Sequence, residues 1–175
     1  MRYFHPQRGI GMVEVLVTLF ISSVAITGLA GLQIQAIKAT NDASQSSIAM
    51  WVVQDLIERI KSNPDGAYDG SYNAHLSVAQ NCGMQPAKYC TPYFSQNSQN
   101  GDSCDAKERA AFDTWDVLCG ASSGANITAH QAASLVNPQL SVQCSPPCSH
   151  YSITLVWQQQ DKKTQDNKLT FDLDI

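Results

Sequence analysis

Charge is scarce in this sequence of 175 residues: Asp, Glu, Lys and Arg make up 15% of it, and the formal net charge is −4. A chain so poor in basic residues has no general positive field with which to hold nucleic acid. Cysteine is missing from the first 81 residues, and no proline stands between Val15 and Ser62. From Val15 to Ile37 there is no formal charge at all. The stretch from Val15 to Ser62 therefore has neither the crosslinks of a stapled loop region nor the breaks that would keep it from being helix. Phosphate-loop and dinucleotide fingerprints are also absent, so nothing in the sequence points to nucleotide chemistry.

The chain does have an apolar run of 23 residues, Val15 to Ile37. As a helix it would be about 35 Å long, enough to span a bilayer. Arg2 and Arg8 precede it and Lys38 comes after it, a bias that predicts a cytoplasmic N-terminus with the rest of the chain outside. Helical character persists beyond the run. Ile48, Val52, Leu56 and Ile60 recur every four residues, Trp51, Val53 and Ile57 widen the stripe, and Gln54, Asp55, Glu58 and Arg59 are polar. This is the pattern of an amphipathic helix. Asn63-Pro64-Asp65-Gly66 then stops it, because proline lacks a donor and biases its predecessor away from helical geometry. One helix over 10–62 is expected, roughly 80 Å long, apolar all round at first and one-faced later.

Three readings of the N-terminus compete. A secretory signal would be cut after small residues such as Gly28-Leu29-Ala30. An uncleaved signal anchor would keep the whole segment, and a third kind of leader would be cut before the apolar run. Glu14 bears on the choice, because a buried carboxylate is costly unless it is paired or protonated. A signal core has no use for one, and a discarded signal has no reason to continue as helix.

Gly9-Ile10, the basic Arg8 before them and Glu14 resemble the processing site of type IV prepilins. The resemblance implies cleavage by a prepilin peptidase between Gly9 and Ile10, N-methylation of Ile10, and a part for Glu14 in assembly. The sequence departs from the family pattern in having Ile10 where Phe is commoner, and Gly11-Met12 where Thr-Leu is. The stretches "EVLVTLFISSVAITGLAGLQ" and "QDLIERIKSNPDGAYDGSY" are similar to those of the PilV group of minor pilins, the type IV pilus modification proteins. The head is similar to that group more loosely, through scattered cysteines and a C-terminal strand with Val156-Trp157. This likeness implies a structural subunit of pilus assembly, adhesion or motility, not an enzyme and without a cofactor. Its partners would be other minor pilins, the major pilin and the inner-membrane assembly platform. Its location would be the inner membrane before assembly and the pilus or cell surface afterwards. The alternatives are a minor pseudopilin of type II secretion and a signal-anchored periplasmic binding domain.

The charges suit this reading on their own terms. Once cleaved, the chain has a free amine at Ile10 and a carboxylate at Glu14, one helical turn apart. A carboxylate in the first turn suits the positive end of the helix dipole. In a bundle of such helices, Glu14 can pair with a neighbour's ammonium and set the axial register. Gly28 and Gly31 read as close-packing positions, or as a place where the helix melts locally.

The expected class is α+β, a type IV pilin fold: a 1–9 leader, a 10–62 helix spanning the membrane at about 15–37, and a 63–175 head. The head reads as loop over 63–138, with a short helix in "DAKERAAFDTWDVL", and antiparallel sheet over 139–175. The predicted strands are Gln139–Cys144, His150–Gln158 and Lys168–Ile175, with alternation at Tyr151, Ile153, Leu155 and Trp157. Cys82, Cys90, Cys104, Cys119, Cys144 and Cys148 form an even set in loop-like sequence beyond an export signal, which reads as disulfides. The near neighbours Cys82/Cys90 and Cys144/Cys148 are candidates for local loops.

Catalytic and metal motifs are weak. Gly120-Ala121-Ser122-Ser123-Gly124 matches G-x-S-x-G, but a nucleophile elbow needs a strand before it and a helix after it. Cys144, Cys148 and His150 lack a fourth zinc ligand at suitable spacing. His5, His75 and His130 have no nucleophile at a characteristic distance, and Asn126-Ile127-Thr128 is a glycosylation sequon of little weight in a bacterial-type exported chain. No catalytic residue and no metal site is predicted.

Overall fold

The computed structural model describes residues 11–83, 86–90, 103–120, 132, 135–159 and 162–175. The elements in chain order are α1 (Met12–Ser62), α2 (Pro64–Tyr68), β1 (Ala74–Ser77), α3 (Val78–Asn81), α4 (Ala106–Cys119), β2 (Val136–Cys144), β3 (His150–Gln159) and β4 (Lys162–Asp174). Two compact units divide the chain within α1, Met1–Asp42 and Ala43–Ile175.

In the first unit, every residue from 11 to 41 is exposed. The segment is apolar on all sides, so no face of it is set apart for a protein core.

The second unit holds the core. Gln45, Ala49, Val52, Val53, Leu56 and Ile60 of α1 are buried there, at the three- and four-residue spacing of one helix face. The apolar ones pack with Leu140 and Val142 of β2, with Tyr151, Ile153, Leu155 and Trp157 of β3, and with Leu173 of β4. The stripe is narrower than the sequence implied. Trp51 is 63% exposed, because at about 100° per residue it lies ~150° from the centre of the buried face. Ile48 and Ile57 are half-buried at its margins.

Asn63 leaves helical geometry, with φ −128° and ψ 66°, and Pro64 opens α2 at once. The residue before a proline is driven out of the α region, and proline suits the first helical position. The break therefore redirects the chain. It does not begin a loop. Gly66 is needed where α2 meets α4, since a Cβ on it would lie 2.7 Å from the Ala106 carbonyl. At Gly70, φ is +70°, and a Cβ would meet the Cys148 sulfur at 2.9 Å.

The sheet has four antiparallel strands in the order β1-β2-β3-β4. Residues 63–138 therefore contribute more than loop: they supply α2, α3, α4 and the edge strand β1. β1 is only four residues long, too short for its alternation to register as a strand signal. β2 starts at Val136, three residues before the predicted start, across an irregularity between Val136 and Gln139. Asn137 has φ 49° there, just ahead of Pro138, which fits proline's confinement to bulges and unpaired positions. In α4 the cap is complete. Asp105 accepts from the Glu108 N–H at 2.7 Å, and Glu108 accepts from the Asp105 N–H at 3.0 Å, a capping box.

All six cysteines are paired: Cys82–Cys119, Cys90–Cys104 and Cys144–Cys148. The short Cys144–Cys148 loop is as expected. Cys82 does not pair with Cys90. α3 carries Cys82 to the C-terminal end of α4, where Cys119 lies, and Cys90 is joined to Cys104 just ahead of that helix.

Candidate assembly element

The first turn of α1 presents Glu14. Its N–H donates to the Gly11 carbonyl at 2.9 Å, and its side chain is exposed in the turn where the helix dipole favours a carboxylate. Gly9 and Ile10 lie outside the described residues, so the spacing between Ile10 and Glu14 is known from the sequence alone.

Beyond Glu14 the exposed apolar residues include Val15, Leu16, Val17, Leu19 and Phe20, and the series continues as far as Ile37. Ahead of it, Met12 is 85% exposed. Three of the four hydroxyls in this run are bonded within the helix. Thr18 donates to the Val15 carbonyl, Ser23 to Phe20 and Thr27 to Ser23, which satisfies them within the helix as a hydrocarbon environment requires. Among the described residues, α1 is the one helix long and apolar enough to cross a membrane. Gly28 and Gly31 have open space around them, and in the single chain α1 is continuous through both.

The second unit contains a polar cluster that sequence reasoning missed. Arg59 donates to Asp55 one turn earlier on α1, to Asp113 at 3.3 Å and to Asp116 at 2.8 Å. Tyr72 donates its hydroxyl to the second oxygen of Asp113 at 2.8 Å. Asn63 reaches the Tyr72 oxygen at 3.2 Å and the Ala106 carbonyl at 2.8 Å. Burial pulls the Arg59 pKa down, but its carboxylate neighbours hold it above the usual value. Burial pushes Asp113 up from the ordinary carboxylate range, against the opposing effects of Tyr72 and Arg59. Tyr72 is pushed up for the same first reason. This is a structural joint between the end of α1 and the start of the head. A signal for it was available: Asp113 and Asp116 alternate with Phe112, Trp115 and Val117, and a carboxylate on an apolar helix needs a partner.

The remaining chemical candidates separate. Sγ of Cys144 is bonded to Sγ of Cys148, so neither is a thiolate ligand beside His150. His150 instead contacts Asp174 at 2.7 Å, and that hydrogen bond raises its pKa. His75 is exposed on β1. His5, His130, Asn126 and residues 121–124 of the G-x-S-x-G match lie outside the described residues. Helix α4 runs directly into Gly120, where a nucleophile elbow requires a strand.

Comparison with known families agrees with these features. The model of the prokaryotic N-terminal methylation motif matches residues 4–30, and that of Type IV pilin Tt1218 matches residues 31–115. The two matches abut and together span nearly two thirds of the chain. No curated protein and no solved structure matches it. A long N-terminal helix, packed through its 43–62 part on a four-stranded antiparallel sheet and accompanied by three disulfides, is consistent with the type IV pilin fold. The family is one of structural subunits, not enzymes. The motif implies processing by a prepilin peptidase and assembly with other pilins, and with the apolar helix it supports membrane anchoring.

Proposed function

We propose that this pilin-type chain is a minor subunit of a type IV pilus, of the PilV kind. Prepilin peptidase cuts between Gly9 and Ile10, Ile10 is methylated, and residues 10–62 become the assembly helix. Before assembly the subunit rests in the inner membrane with Arg2 and Arg8 on the cytoplasmic side and the 63–175 head outside. Assembly moves it from lipid into a bundle of like helices, with other minor pilins, the major pilin and the inner-membrane platform as partners. At the pilus or cell surface the head then serves adhesion or motility.

One observation carries the reading. The part of α1 that overlaps the methylation-motif match is apolar and exposed on every side, yet has a carboxylate in its first turn. Lipid alone explains the apolar surface and tolerates Glu14 at the headgroup level, but gives the carboxylate no partner. A neighbouring subunit with a free N-terminal ammonium explains both, because pairing offsets the burial of two charges and fixes the axial register.

Mass spectrometry of the mature chain should find it starting at a methylated Ile10, and a start near Gly31 would sink the proposal. Glu14→Ala should lower incorporation into pili by about tenfold or more, the effect of removing one partner of a desolvated ion pair. Membrane insertion and head folding should be unchanged. Loss of protein secretion with normal pili would point to a pseudopilin instead.

A further inference from the structure

The two edges of the head's sheet are unlike. β1 has four residues and runs straight into α3, a short edge of the kind that resists strand addition. β4 pairs only with β3 among the described residues and runs from Lys162 to Asp174. From Asp166 to Asp174 it carries no proline, and its pairing to β3 has no irregularity. Its core-facing residues Leu169 and Phe171 are only half-buried, whereas Ile153 and Leu155 opposite them on β3 are fully buried. A long, regular edge with an incompletely covered apolar row is open to pairing with another strand.

The side chains of β4 specify which strand. We infer that β4 pairs antiparallel with β4 of a second copy of this chain, about a two-fold axis at Phe171. In that register Lys168 faces Asp174 of the second copy, Thr170 faces its Asp172, Leu169 faces its Leu173, and Phe171 faces its own counterpart. Each residue meets one from the same face of the strand, as the pleat requires. Lys168, Thr170, Asp172 and Asp174 are all exposed, and the Asp174 side chain is 90% exposed even with His150 against it.

Neighbouring registers are worse. A slip one way sets Asp166 against Asp174, and a slip the other way sets Asp172 against itself, and like charges directly opposite are destabilising. The inferred register has two Lys–Asp pairs by symmetry and no like pair, and it closes an apolar row on the inner face. A two-fold contact is self-complementary and adds no third subunit. It therefore defines a paired state of the head, separate from any helical filament, and does not depend on the assembly role of Glu14.

The test uses the full chain in detergent micelles, with association followed by analytical ultracentrifugation over a range of protein concentrations. The expected result is a dimer that weakens as salt rises. Lys168→Glu should weaken it by about tenfold, since two symmetric pairs turn from opposite to like charge. Asp174→Lys should do the same, and the double variant should restore it, which a variant harmed in folding could not. A monomer at every concentration would overturn the inference, as would a dimer indifferent to these charges or a double variant no better than the singles. None of these outcomes bears on how the N-terminus is processed, so the pilin reading stands or falls separately.

Discussion

Arg59 shows how much one residue can hold when its partners are buried. Its side chain is 21% exposed, while those of Asp113 and Asp116 are 8% and 7% exposed. Removing the cation would leave two carboxylates deep in α4 with their main counter-charge gone. Arg59→Met should therefore lower stability by about 3–5 kcal/mol, the usual effect of breaking a buried ion pair from one side, read as a lower urea midpoint at unchanged slope. Asp113 acts in the opposite sense to a typical salt-bridged acid. Its pKa is raised in the folded state by burial, so its contribution is greatest below the ordinary Asp value and is lost as pH rises through the folded one. None of this was legible from Arg59 in the sequence, where it reads as one polar position of an amphipathic helix. The partners come from another helix, α4, far along the chain.

Helix α1 was legible as an element because hydrophobic period and the absence of proline act locally. α4 was legible for the same reason, and the Asp105 and Glu108 that cap it lie three residues apart in the sequence. The strand β1 was not, since four residues carry too little alternation and the strand exists through its pairing with β2. Disulfide pairing failed in a similar way. Proximity along the chain favoured Cys82 with Cys90, but α3 delivers Cys82 to the end of α4. The three crosslinks should then differ in weight. Chain-entropy arguments assign about 4 kcal/mol to the 37-residue Cys82–Cys119 separation and about 2 kcal/mol to the 4-residue Cys144–Cys148 turn. Paired Cys→Ser variants compared by thermal melting should show the larger fall for Cys82/Cys119.

For the whole molecule, two units with opposite habits share one helix. The head buries its apolar residues, whereas residues 11–41 bury none. An apolar surface this continuous does not stay free in water. The full chain should scatter light as large aggregates without lipid or detergent and become a small defined species once micelles cover the segment; a chain that stayed dispersed in plain buffer would contradict this.

Short-range chemistry alone encodes the apolar run, the Pro64 break, the α4 cap, the alternation of β3 and β4, and the Gly9–Glu14 motif, so the sequence suffices for all of them. Each depends on residues close to one another along the chain. The Arg59 joint, the cysteine partners, the β1 edge and the exposed side of Trp51 depend instead on distant segments meeting, and these emerge only in the folded chain. A helix pattern gives the width of an apolar stripe only approximately. How much of it becomes core is set by what the sheet covers, and most of that sheet is made of residues far along the chain from the helix.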